Sequence, residues 1–345
     1  MKNKNLSLVA SAVLVAGAMW TGNTASAEEL PQTKAQQQFS VTHGFKETSL
    51  PVLQRAGGID QKQVSESLIG KLRPASAHQS TANGTRLHTA GDQWSLDVTG
   101  DGRAADFEDL AVGARAHSLG KPVSQAMSAA ELEQKGRAFI AANLASQIVL
   151  GAEEELVPVR TDYRIDGGQD AITKETSEAV VANRIVFGRK VRGVPVVGNG
   201  SKVTLTFIND GSLESFRYDW PSYRAVSPQN LIAAGDILAR VQQIIGVRTG
   251  AGAAIQGVTV PSSEGEAYPV VLTPTTQLQK LECGYFDDGS FVRHSLGSVQ
   301  PACVYHAVSQ DAGGGRQGFA GAVPAGAQFQ ADPAWMESRL LGRKN

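Results

Sequence analysis

Between Lys202 and Tyr218 the chain allows one arrangement. Val203, Leu205 and Phe207 alternate with Lys202, Thr204 and Thr206, and Asn209-Asp210-Gly211 then separates this run from Ser212 to Tyr218. A period of two places every apolar side chain on one face of a strand. The turn residues accept positive φ, so the two runs fold back as an antiparallel hairpin. Such a hairpin needs a cover for its apolar face. One is supplied upstream, where Ser128-Ala129-Ala130-Glu131 forms a capping box and Leu132, Phe139, Ile140, Leu144 and Ile148 recur on one helical face. The spacing predicts an amphipathic helix from 128 to about 150. Further strands are expected at 157–163, 179–187 and 194–197. Trp94, Leu96 and Val98 alternate before the tight turn Gly100-Asp101-Gly102, which predicts a hairpin over 93–109. The fold class is α+β.

A similar order follows. Ser227-Pro228 places a cap residue before Pro at a first helical position, and Leu231, Ala234, Ile237, Leu238, Val241, Ile244 and Ile245 keep helical spacing. After a Gly/Ala-rich connection, strand-like runs occupy 268–273, 279–286, 302–308 and 318–323, with Asp288-Gly289 and Gly313-Gly314-Gly315 as turns. The expectation is two successive units, 91–225 and 226–330, each a helix on an antiparallel sheet; one larger unit holding both helices stays open. Residues 28–90, rich in Gln, Ser, Thr, His and Ala, are expected to be a flexible lead-in with one short helix near 60–71, and 331–345 a tail.

Met1-Lys2-Asn3-Lys4, the mostly apolar run from Leu6 to Trp20 and Ala25-Ser26-Ala27 have the order of a signal peptide, spanning 1–27, with a small-x-small cleavage site. The apolar run is shorter than the roughly 20 residues of a membrane span. Removing 27 of 345 residues leaves 318, and removing Lys2 and Lys4 leaves 30 basic against 33 acidic side chains, a formal charge of −3. With no basic run longer than Gly188 to Arg192, nucleic acid is not an expected partner. Cys283 and Cys303, the sole pair in an exported chain, are expected to form a disulfide worth about 3 kcal/mol. A catalytic thiol would instead need a base such as His294 or His306. The expected location is secreted or periplasmic, with no integral membrane segment after signal cleavage.

Two motifs invite chemistry. Ala116-His117-Ser118-Leu119-Gly120 resembles a nucleophile elbow, but Gly113-Ala114-Arg115 is a poor strand end and Lys121-Pro122 begins a loop where a helix is required. Asp97, Asp101 and Glu108 hold positions 1, 5 and 12 of a calcium-binding loop, with Thr99 at position 3 and Gly102 at position 6. The alternation from Gln93 to Val98 and the Gly-Asp-Gly turn read equally as an acidic hairpin. Tyr218, Trp220 and Tyr223, beside Pro221, read as core at a domain junction in preference to an exposed patch.

Arg184 to Gly198, containing Arg192-Gly193-Val194-Pro195-Val196-Val197-Gly198, together with Lys202 to Leu213, resembles the propeptide modules of thermolysin-type and fungalysin-type metalloproteases. The resemblance covers about 128–221, and 226–325 is similar to the related PepSY module. It implies cystatin-like units that, in proteases, assist folding of the enzyme and block its cleft. None of the six His residues begins the His-Glu-x-x-His zinc motif that follows such propeptides, and the sequence stops before a protease domain. The resemblance therefore implies a standalone module with no catalytic residue to carry over and no cofactor. The expected activity is non-catalytic protein binding, as an inhibitor or folding assistant of an exported peptidase. The alternatives are a secreted serine hydrolase using Ser118 and an envelope structural or sensory protein.

Overall fold

The computed structural model describes residues 35–38, 45–169, 176–237, 240, 259–261, 267–269, 277–290, 298–310 and 316–328. In chain order the strands are β1 (Ala35–Gln38), β2 (Ser49–Ala56), β3 (Gln79–Asn83), β4 (Arg86–Ala90), β5 (Trp94–Thr99), β6 (Ala104–Asp109), β7 (Glu154–Gln169), β8 (Thr176–Val191), β9 (Val194–Val197), β10 (Lys202–Ile208), β11 (Leu213–Asp219), β12 (Ser222–Asn230), β13 (Thr259–Pro261), β14 (Ala267–Pro269), β15 (Gln277–Phe286), β16 (Ser298–Gln310) and β17 (Arg316–Pro324). The helices are α1 (Gln61–Leu72), α2 (Leu110–Ala116) and α3 (Ala129–Phe139).

The hairpin that the alternation demands is β10–β11, and it lies in the middle of an antiparallel run ordered β3-β4-β5-β6-β11-β10-β8, with β7 along the other side of β8. The expected 93–109 hairpin is β5–β6. α1 and α3 cover the apolar face of this sheet. Val64 and Leu68 from α1 and Leu132 from α3 pack with Trp94, Phe107, Phe187, Leu205, Phe216 and Tyr218 in one buried cluster. The Phe107 and Phe216 rings stack at 5.4 Å, and each such buried side chain contributes roughly 1.5–3 kcal/mol. α3 approaches closely at Gly136, where a Cβ would lie 2.6 Å from the Phe187 ring.

Ser128 caps α3 as the sequence requires: Glu131 N donates to Ser128 Oγ at 3.3 Å and Ser128 N donates to Glu131 Oε2 at 2.8 Å. The α-helix ends earlier than about 150. It passes at Ile140 into a π-helical turn to Leu144, and both residues remain in the core. The wider turn keeps their side chains on the sheet as the chain leaves for β7.

Residues 49–90 are not a flexible lead-in. β2, α1, β3 and β4 occupy them, and α1 coincides with the short helix expected near 60–71. Their polar composition reflects exposure: Gln79 to Ala82 on β3, an outer strand, are exposed throughout.

The second unit also differs from expectation. Ser227 and Pro228 lie within β12 instead of starting a helix, and β12 crosses the expected boundary at 225/226. Helical backbone begins only at 234. Residues 238, 239 and 241–245 of the expected helix, and the signal segment 1–27, His294 and the tail 331–345, lie outside the described residues. β15 pairs antiparallel with β16, and β16 with β17. The two regions are continuous: β9 pairs with β8 and then runs parallel to β15, with Tyr285 opposite Val196. β2, from the segment expected to be flexible, pairs with β12 on one side and with Ser298–Val299 on the other. The fold is thus mixed α/β around a large, mainly antiparallel sheet, and its strand pairing does not separate into two successive cystatin-like units.

Candidate functional site

Ser118 sits in a 3-10 turn, His117–Leu119, directly after α2. Its hydroxyl donates to the Arg115 carbonyl at 2.8 Å. A nucleophile elbow needs a strand before the Ser and a helix after it, and here a helix precedes it and the extended Gly120–Lys121 follows. His117 Nδ1 bonds Asp166 on β7, leaving Ser118 outside that pair.

Asp97, Asp101 and Glu108 lie on β5, in the following turn and on β6. Asp101 Oδ1 accepts from Thr99 Oγ1 at 2.8 Å and from Arg103 N at 3.2 Å, so this carboxylate closes its own turn. Asp97 faces His88 Nδ1 at 3.1 Å, and Glu108 stands between Ser95 and Ser215 on neighbouring strands. Among the described residues no three His, Cys, Asp or Glu side chains converge as metal ligands. The acidic hairpin is what the geometry contains. Cys283 and Cys303 face each other across β15 and β16 and form the disulfide, so neither is a thiol nucleophile. Burial and the neighbouring Lys280 hold the nearby His306 below its ordinary pKa.

Tyr218 and Trp220 are core, with the Trp220 Nε1 donating to the Val149 carbonyl at 3.0 Å. They border a buried polar joint that draws side chains from five parts of the chain. Arg55 of β2 donates through Nε to Asp287 Oδ1 at 3.1 Å and through Nη1 to Ser290 Oγ at 2.6 Å. Its Nη2 also lies 3.6 Å from Asp219 Oδ2. Tyr223 donates its hydroxyl to Asp287 Oδ2 and meets Ser201 Oγ at 2.7 Å. Ser290 serves Asp219 twice, with its backbone N on Oδ2 and its hydroxyl on Oδ1 at 3.2 Å. Arg189 of β8 packs its guanidinium 4.8 Å from the Trp220 ring centre and 4.6 Å from that of Tyr223, while pairing with Glu154 and the Pro221 carbonyl.

The backbone permits this approach. A Cβ on Gly200 would fall 2.2 Å from the Asp287 carboxyl carbon, and the Gly200 N–H donates to the Asp287 carbonyl at 2.9 Å. Electrostatics follow from burial. Burial opposes the Arg55 charge, yet Asp287 and Asp219 hold its pKa above the ordinary value. Burial raises Asp219 to about 6; Arg55 and the Ser290 donors oppose this, and the Asp287 charge adds to it. Lys202 is half-buried as a residue, but its ammonium is enclosed against the Val196 and Gly200 carbonyls at 2.7 and 3.2 Å, and burial lowers its pKa to about 8. Every acid in the joint is turned onto a protein donor, which suits holding two strand layers together.

Its outer margin is β12. Tyr223 is opposite Arg55, so the joint anchors the root of this strand. Beyond it the pairing with β2 slips between Ala225 and Pro228, leaving Val226 and Ser227 in a bulge where Val226 is 60% exposed. A shallow cleft of about 310 Å³ lies beside the bulge, lined by Leu50, Pro51, Arg192 and Val226 among others. Among the described residues the outer edge of β12 has no strand partner until Asn230, whose carbonyl accepts from Ala327 N at 2.8 Å. The aromatic Tyr223 beside Pro221 is visible in the sequence; the edge itself is not. No protein-family model matches the chain, and no curated protein matches it significantly.

Proposed function

We propose that this chain is an exported, secreted or periplasmic, non-catalytic protein-binding module that restrains or assists an exported peptidase by accepting an extended segment at the outer edge of β12. The observation that carries this reading is the edge from Ser222 to Ala225, without a strand partner among the described residues, continuing into the cleft at the Val226 bulge. Backbone pairing at a strand edge supplies affinity, and an adjoining apolar cleft supplies side-chain selectivity. The bulge and Pro228 confine such pairing to a short stretch, since bulges and prolines blunt strand edges. The resemblance of 184–213 to propeptide modules supports the choice of a peptidase, and the disulfide supports an oxidising compartment. Ser118, bonded to its own helix and lacking an elbow, does not favour the hydrolase alternative.

The test is a pull-down with residues 28–345 from the organism's secretome and envelope extract, followed by mass spectrometry and a peptidase-inhibition assay, alongside Val226→Asp. A recovered peptidase whose activity falls stoichiometrically, and is no longer restrained by the Val226→Asp protein, is the expected result. Equal inhibition by that variant would remove the edge from the account. Hydrolysis of ester or peptide substrates by the wild-type protein alone, abolished by Ser118→Ala, would replace it with the enzyme reading.

A further inference from the structure

At the centre of the joint two carboxylates, Asp219 and Asp287, share one guanidinium as their direct ion-pair partner; the Arg189 guanidinium is paired with Glu154 and the Lys202 ammonium is bonded to backbone carbonyls. Arg55 sits closest to Asp287, with two of its donors on Oδ1, while its nearest approach to Asp219 is 3.6 Å. Asp287 also takes the Tyr223 hydroxyl and the Gly289 N–H, the latter at 3.0 Å. Asp219 is left with the two Ser290 donors. Its side chain is 4% exposed, so bulk solvent screens it little.

We propose that Asp219 is a proton-binding site that acts as a clasp: its protonation tightens the joint between β11, the 287–290 turn and β2, and so fixes the root of β12 more firmly in mildly acidic surroundings than in neutral ones. The geometry gives the proton a defined role. With Asp219 neutral, Arg55 serves Asp287 alone and the repulsion between the two carboxylates disappears. The Ser290 hydroxyl, which already accepts from Arg55 Nη1, can keep its bond to Asp219. Arg55 on β2 and Lys202 on β10, the latter opposite Asp219 in register, favour the ionised acid; Asp287 in the turn disfavours it. Tyr223 is held neutral, its pKa raised by burial and by Asp287, and Arg189 of β8 is already paired with Glu154. Asp288, also buried, is in the same turn.

Burial outweighs the favourable partners, so the folded Asp219 titrates near 6 where an ordinary Asp titrates near 3.8. A raised folded value means that the native state holds the proton more tightly than the unfolded chain. The resulting stability is complete below the unfolded value and is lost as pH rises through the folded one.

The test compares wild type with Asp219→Asn, whose amide imitates the neutral acid. Wild type is expected to gain, from neutral pH down to about pH 5, roughly 2–4 °C in Tm more than the variant does. After correction for intrinsic exchange, wild-type amides at Ser222 to Arg224 should exchange more slowly at the lower pH, and in the variant they should be equally slow at both. Parallel pH profiles for the two proteins would overturn the proposal. A carboxyl-carbon NMR titration of Asp219 in the wild-type protein decides the matter even if the variant fails to fold. A midpoint near 6 is expected, and one near the ordinary Asp value would overturn the clasp.

Discussion

The two regions of this molecule are held by different means. The sheet from β3 to β8 lies under α1 and α3, and its core contains Trp94, Phe107, Phe187, Phe207, Phe216, Tyr218 and Trp220. The layer formed by β2, β9, β15 and β16 has a smaller cluster, Leu50, Leu53, Val191, Val194, Val196 and Val299 around Tyr285. Aromatic packing dominates the first, where ion pairs such as Arg189–Glu154 and Arg184–Asp162 also join β7 to β8. The second adds a covalent bridge between β15 and β16 and the ionic joint that ties it to β11. Where apolar area is limited, crosslinks and satisfied polar networks supply what the core does not, but a buried charge network is vulnerable to the loss of any one member.

The comparison can be broken at either region. Arg55→Ala leaves Asp219 and Asp287 buried without their ion-pair partner and should cost about 3–5 kcal/mol in urea unfolding, lost first from β2 and β12. Phe216→Ala opens a hole between Phe107, Phe139 and Tyr218; it should cost a similar 3–5 kcal/mol but destabilise both regions together, because the second layer is built onto the first. Replacing Cys283 and Cys303 with Ser should cost about 3 kcal/mol, concentrated in β15 and β16. Ser128→Ala removes the α3 cap and should cost about 1 kcal/mol in the first region only, measured as a small fall in urea midpoint.

The same division governs what the sequence could reveal. β10, β11 and the cap of α3 were legible because alternation and capping are local signals, and the disulfide because two cysteines allow one pairing. β3 and β4 lack that clarity, being short and polar, with only Thr89 fully buried on β4. Pro228 misleads for a physical reason. A φ near −65° suits a first helical turn and also an outer strand, and here Pro228 lies opposite Pro51 of β2. The joint leaves no local trace at all. Arg55 and Asp287 are 232 residues apart, and each is unremarkable in its own stretch of sequence. Only the return of β2 between β12 and β16 brings them together.

The most direct test of the division is native-state hydrogen exchange on the oxidised and the reduced protein, read residue by residue. The account predicts that reduction speeds exchange in β15 and β16 while the amides of β10 and β11 keep their protection. Equal acceleration in both sets would mean that a single cooperative core supports the whole chain, and that the disulfide and the joint are not what hold the second layer.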